Sequence, residues 1–166
     1  MNIQHNMLLA GGIPRSGTSM LMRVLEKGGI DIEYNKNNKP QAISKFRNYY
    51  GFYETANIDC NKTFKVFNAM ILKKFPDARF IYIYRDIEQV YKSWLQIGRK
   101  RNIEFIKDRR NEFEKELENH EHIKIKYEDM HKDPRIECER IKAFLNGDFN
   151  VEEAIKAVDK NLFKIR

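Results

Sequence analysis

Cysteine is nearly absent from this sequence: 166 residues carry two, Cys60 and Cys138, far apart in the chain. They match no metal-ligand spacing and supply no disulfide framework, so neither a zinc module nor an oxidised secreted scaffold is expected. Long apolar runs are missing too, and no stretch approaches the roughly 20 apolar residues that a bilayer-spanning helix needs. The opening MNIQHNMLLAGGIPRS has neither the basic start nor the apolar core of a secretory signal. Internal repeats and low-complexity tracts are also lacking. These absences point to a soluble, reduced, cytoplasmic protein folded as one domain over residues 1–166.

What is present supports a core. The chain is 42% hydrophobic and 12% aromatic, and a chain this long can bury about 70% of its unfolded surface. Lys and Arg number 31 against 24 Asp and Glu, a net charge of +7. That excess suits nucleic acid, an anionic membrane surface or a polyanionic small molecule. It lies in the first 110 residues. Residues 99–110 hold six basic and two acidic groups, and residues 111–122 hold one and five.

Hydrophobic spacing predicts alternating strands and helices. Met7 to Ala10 reads as a short strand ended by Gly11 and Gly12. Met20, Leu21, Val24 and Leu25 follow on one helix face, stopped by Gly28 and Gly29. Residues 31–40 read as a polar surface loop. Thr63 to Phe67 suits a strand, followed by a helix through Met70, Ile71 and Phe75. Phe80 to Tyr84 is the strongest strand signal. Val90 to Leu117 suits one long helix or two shorter ones, and Ile123 to Tyr127 another strand. A helix after Pro134 and a last one from about Val151 to Leu162 complete the chain. The expectation is an α/β fold with a small parallel sheet of about four strands flanked by helices.

The most informative stretch is Gly11 to Leu21, which follows a strand and opens a helix. Glycines let backbone N–H groups turn inward, and the helix N-terminus adds partial positive charge, so the segment suits an anion. Against the nucleotide-hydrolase pattern G-x4-G-K-[ST], Gly12, Gly17 and Ser19 fit, but Thr18 stands where that pattern has lysine. Without the lysine, cleavage of a β–γ phosphate bond loses its main charge clamp. Arg15 places a cation inside the loop instead.

Pro14-Arg15-Ser16-Gly17-Thr18-Ser19 resembles the 5′-phosphosulfate loop P-[KR]-S-G-T-[ST] of the sulfotransferases that use 3′-phosphoadenosine 5′-phosphosulfate (PAPS). A second likeness runs from Phe75 to Arg85-Asp86 and on to Ser93-Trp94. In that family a strand-ending arginine and a serine eight residues later hold the 3′-phosphate, and Arg85 and Ser93 have that spacing. A third is Tyr127-Glu128-Asp129-Met130, whose tyrosine contacts the cofactor in the family. The resemblance implies a P-loop-like sulfotransferase fold in a short member. It also implies Pro14, Arg15, Ser16, Gly17, Thr18, Ser19, Met20, Arg85, Ser93 and Tyr127 at the cofactor, and adenosine 3′,5′-bisphosphate (PAP) as the product. Read without it, Arg85 equally suits an ion pair with Asp86 or Glu88, and Tyr127 could simply pack.

Sulfuryl transfer needs a base for the acceptor's proton and cations for the sulfonate oxygens, and no metal is required when Lys or Arg supplies the charge. Arg15 and Lys65 are the candidate cations. Cytosolic members of the family read Lys-Thr-His where this chain has Lys65-Val66-Phe67, so the histidine that acts there as base is missing. Glu54, in Gly51-Phe52-Tyr53-Glu54, resembles an element of bacterial relatives and is the candidate base; aromatic neighbours would raise its pKa. Glu33 is the runner-up. His5, His120, His122 and His131 are weaker candidates, because no third metal ligand joins the His120–His122 pair. Lys164 or Arg166 could cover the 3′-phosphate.

The basic block at 99–110 reads as a solvated helix face, or as a gate near the cofactor or a dock for an acidic acceptor such as a glycan or acidic peptide. With few residues left to build an acceptor site, an open cleft between residues 31–60 and this helix is expected, which favours a large acceptor. Two other readings stay open: a degenerate P-loop kinase or hydrolase, and a non-catalytic module binding PAPS or nucleic acid. No aromatic–basic repeat supports the nucleic-acid reading.

Overall fold

Alternate residues of two strands, β1 (Leu8–Gly11) and β5 (Arg79–Tyr84), serve different cores. Leu9, Phe80 and Tyr82 join one buried cluster, and Ala10, Ile81 and Ile83 join another. This period of two is what a sheet covered on both faces requires. The computed structural model describes residues 7–40, 42–43, 52–53 and 61–158, with the backbone alone at 42–43 and 52–53.

The remaining strands are β2 (Ala42–Ile43), β3 (Phe52–Tyr53), β4 (Phe64–Val66) and β6 (His122–Lys126). They form one six-stranded sheet in the order β3-β2-β4-β1-β5-β6, and every pairing is parallel. The expected four strands are its four longer members. Two short strands that the sequence pattern did not reveal extend one edge. Because β4 and β5 flank β1 on opposite sides, the loop after β1 leaves the sheet where strand order reverses. Open α/β sheets bind ligands at such a point.

One face carries α1 (Thr18–Lys27), α5 (Tyr127–Lys132), α6 (Pro134–Phe144) and α7 (Val151–Lys156), around Leu21, Leu25, Ile125, Met130 and Ile141. The other carries α2 (Ala69–Leu72) and α4 (Ile103–Leu117), around Ile71, Leu72, Ile106, Phe113 and Leu117. Between β5 and α4 runs α3 (Ile87–Gln96). Among the described residues, five of seven helices start at an Asn or Asp whose side chain accepts a backbone N–H: Asn68, Asp86, Asn102, Asp133 and Asn150. The exceptions are α1 and α5.

Of the two alternatives for Val90 to Leu117, the pair of shorter helices is the one formed, because Gly98 turns back with φ +74° and Asn102 caps a new start. The basic residues Arg99 to Arg101 therefore precede α4 and do not oppose its dipole. Tyr127 opens α5 and does not end a strand. The helix after Thr63–Phe67 stops at Leu72, and the last helix ends at Lys156, not Leu162. Residues 31–40 are not purely a surface loop, since Ile32 is buried and bridges to Thr63. Among the described residues no helix is long and apolar enough to cross a membrane.

Candidate active site

The loop between β1 and α1 is built from two left-handed residues: Arg15 has φ +74° and Gly17 φ +97°. For arginine this conformation costs about 1–2 kcal/mol, and such strain persists where the surroundings impose it. The Ser16 side chain and backbone N–H both donate to the Ile13 carbonyl, at 2.7 and 3.3 Å. Ser16 is fully buried, so its part here is to shape the turn. Gly17 is required sterically as well, because a Cβ there would collide with the ring of Tyr127. As Gly17 brings no side-chain cap, the first amides of α1 are left for another acceptor. Thr18 is buried, Ser19 is exposed, Pro14 is half-buried, and Met20 packs in the core beneath α1.

Three separate sequence motifs meet at this loop. The Arg15 Nε donates to the Ser93 Oγ at 2.9 Å, tying the loop to α3. The Arg85 guanidinium lies 4.5 Å from the centroid of the Tyr127 ring, and that ring packs against Gly17. Arg15, Gly17, Arg85, Ser93 and Tyr127 thus form a connected set at the C-terminal end of the sheet. Asp86 is no ion-pair partner for Arg85, because its carboxylate accepts the Glu88 and Gln89 N–H groups that open α3. Arg85 Nε and Glu128 Oε2 are buried without a hydrogen-bond partner. The other Glu128 oxygen accepts the Asp86 N–H at 3.0 Å and fixes the turn after β5. Burial pushes the Tyr127 hydroxyl above its ordinary pKa, the nearby Arg85 charge opposing it, so the phenol stays neutral.

Lys65 lies on β4, in register with Ala10 of β1. Its ammonium sits 4.8 Å from the centroid of the Phe67 ring. Burial, and then the charge of Lys39, push its pKa below 10.5. Glu54 lies outside the described residues, as do Cys60, His5, Lys164 and Arg166. Glu33 is ion-paired with Lys62 at 3.1 Å. His120 is buried with its Nδ1 3.1 Å from the Ala78 carbonyl, His122 contacts the His120 carbonyl, and His131 packs edge-on against Tyr127. These three histidines have structural contacts, and among the described residues no group of metal-ligating side chains forms a site.

The basic block divides into distinct tasks. Lys107 pairs with Glu104 and Arg109 with Glu112. Arg110, which sequence reasoning placed on a solvated face, donates to Glu114 at 3.0 Å and to the Arg85 carbonyl at 3.3 Å. Its i,i+4 spacing to Glu114 was the available signal. Arg101 and Arg109 line a pocket of about 250 Å³ with Pro14, Phe67, Trp94 and Phe105. Among the described residues, then, the basic helix borders a pocket shared with the loop between β1 and α1. The expected partners for a cleft at residues 41–60 lie mostly outside those residues.

A sequence model of the Sulfotransferase family matches residues 46–150, which include Arg85, Ser93 and Tyr127 but begin after the loop. Among solved structures, mouse sulfotransferase SULT7A1 complexed with PAP is similar, with a TM-score of 0.67 at 19% identity. That match covers 92% of this chain, which spans 63% of the SULT7A1 chain's length. The sulfotransferase domain from the curacin biosynthetic pathway is also similar, with a TM-score of 0.56 at 16% identity over 93% of this chain and 78% of that one. No curated protein sequence is significantly similar.

Proposed function

Since the chain belongs to the sulfotransferase family, we propose that it transfers a sulfuryl group from PAPS to a hydroxyl or amine by in-line displacement, with arginine and lysine in place of a metal. The observation that carries this reading is the contact set joining the loop, Arg85, Ser93 and Tyr127. The residues present fit the nucleotide. Arg85 Nε is a buried donor without a partner, and the uncapped start of α1 offers amides beside Arg15. Capture of PAP by the similar mouse sulfotransferase supports a 3′-phosphoadenosine ligand.

When bound, PAPS would supply a sulfuryl group activated by its phosphosulfate anhydride. The loop from Pro14 to Met20 binds the 5′ end through backbone N–H groups, while Arg85 and Ser93 hold the 3′-phosphate. Tyr127, neutral at working pH, packs beneath the loop and under the Arg85 guanidinium, which sets where that cation points. Arg15 and Lys65 would supply positive charge near the sulfuryl oxygens, the kind of preorganised electrostatic help that lowers barriers most. Glu54 would take the acceptor's proton.

Calorimetry with PAP, with and without magnesium, tests the donor site. PAP should bind without the metal, and Arg85→Ala should weaken it roughly ten- to a hundredfold, as loss of a charged hydrogen bond does. Tight, magnesium-dependent ATP binding would favour a kinase or hydrolase instead. Transfer from labelled PAPS to hydroxyl and amine acceptors should persist in chelator. Full turnover by Glu54→Gln would remove Glu54 as the base.

A further inference from the structure

The 250 Å³ pocket lies directly beside the anion cradle. Its walls include Pro14 and Trp94, the chain neighbours of Arg15 and Ser93, whose side chains are hydrogen-bonded at 2.9 Å. Resting on the function proposed above, we infer that this pocket takes the acceptor, and that the part of the acceptor it holds is a small anion: an apolar body about one ring in size that bears a carboxylate.

A dry cavity of about 150 Å³ accepts benzene, so 250 Å³ holds a ring with a short substituent. Ile13, Phe67, Trp94, Phe105 and Phe113 make the walls apolar. The polar side chains among them are Asn68, Arg101, Arg109 and Glu112, two cations and an amide against one carboxylate. Asn68 already accepts the Met70 N–H at 2.8 Å through its Oδ1, which leaves the amide N–H groups to offer. The guanidinium groups of Arg101 and Arg109 each lie 5.2 Å from the centroid of the Phe105 ring, so one aromatic ring of the pocket is flanked by two cations.

The two cations differ. Arg109 has Glu112 at 3.7 Å, whereas among the described residues Arg101 has no carboxylate within ion-pair distance. A neutral hydrocarbon would fill the walls and leave Arg101 unmatched, while a carboxylate at the same end meets it. Phe105 stays 41% exposed between the two arginines, so this end of the pocket is open to a ligand. Selection by the arginines is electrostatic, and the apolar walls orient the rest of the molecule towards the loop.

Trp94 is the only tryptophan of the chain, so its fluorescence reports pocket occupancy without any transfer reaction. The test titrates the protein with 4-hydroxyphenylacetate and with its neutral amide, following Trp94 emission and heat. The carboxylate should bind roughly fivefold tighter than the amide, which is what one exposed ion pair contributes. Arg101→Gln should erase most of that preference, Arg101→Lys should keep much of it, and Glu112→Gln should widen it by releasing Arg109. Equal affinity for the two probes, no Trp94 response, or a preference unchanged in both Arg101→Gln and Arg109→Gln would overturn the inference. Titration of the same samples with PAP separates the two readings. PAP binding without carboxylate preference sinks the anionic acceptor alone, whereas carboxylate preference without PAP binding overturns the sulfotransferase reaction and with it the acceptor role of the pocket, leaving only an anion-selective site.

Discussion

Lys65 is a cation held where charge is costly. Burial among β-strand neighbours strips water from its ammonium, and Lys39 adds like charge, so its folded-state pKa falls below 10.5. The protonated form therefore works against folding, and stability rises with pH between the lowered value and 10.5. An anion placed against Lys65 reverses this, since it favours the charged form. Binding of PAP at alkaline pH should accordingly take up a proton, and affinity should fall as pH climbs through the lowered pKa. Calorimetry in buffers of different ionisation enthalpy measures the uptake. Lys65→Met should abolish it, and Lys65→Arg should bind with no such pH dependence. Uptake that persists in Lys65→Met would assign the proton elsewhere and take Lys65 out of the site.

Between α3 and α4 the legibility of the sequence ran out, for a physical reason. Val90 to Leu117 carries apolar residues at helical spacing on both sides of Gly98, and periodicity does not register a break that leaves the phase nearly intact. What made the break was a local device, a left-handed glycine and an asparagine cap. Strands β2 and β3 were hidden because two residues cannot display an alternation. By contrast β5 was legible, since both faces are covered and its run Phe80 to Tyr84 is continuously apolar or aromatic. The turn between β1 and α1, and the place of Arg85 directly after β5, were legible from motif spacing. The pairing of Arg15 with Ser93 was not, because it joins residues 78 positions apart.

The same helix holds a prediction. Arg110, Glu114 and Tyr82 form a chain of hydrogen bonds of 3.0 and 3.3 Å, and Arg110 also reaches the carbonyl of Arg85. The Arg110 and Glu114 side chains are 24% and 30% exposed, too buried for a mere surface pair. Arg110→Met, which removes the guanidinium from Glu114, the Arg85 carbonyl and the Tyr84 ring, should lower stability by about 1–2 kcal/mol. Lys107→Met, whose partner Glu104 is solvated, should stay within about 0.5 kcal/mol of the parent. Denaturant midpoints decide between them, and equal midpoints would return Arg110 to a solvated stripe.

At the scale of the whole molecule, the sheet makes the candidate site a joint between its two cores. The loop and Tyr127 belong to elements packed with α1 and α5 on one face, while Trp94 and Ile13 pack with the cluster on the other. The loop, Arg85, Ser93 and Tyr127 are each supplied by a different segment, and the central strand β1 feeds the first of them. A ligand that contacts all of these stabilises the folded state without a counterpart in the unfolded chain. At a hundredfold excess over its dissociation constant, PAP should add about 2.7 kcal/mol. For a domain of this size that raises the Tm by roughly 5–10 °C. Two substitutions separate assembly of the site from simple charge pairing. Gly17→Ala forces a side chain into the Tyr127 ring at a left-handed position, so it should lower the Tm of the free protein and abolish the PAP shift. Arg85→Ala removes a buried donor without a partner, so it should leave the free Tm near that of the parent while still losing most of the shift. If both variants kept the full shift in thermal melts, PAP would be bound away from this joint, and the donor site proposed here would be misplaced.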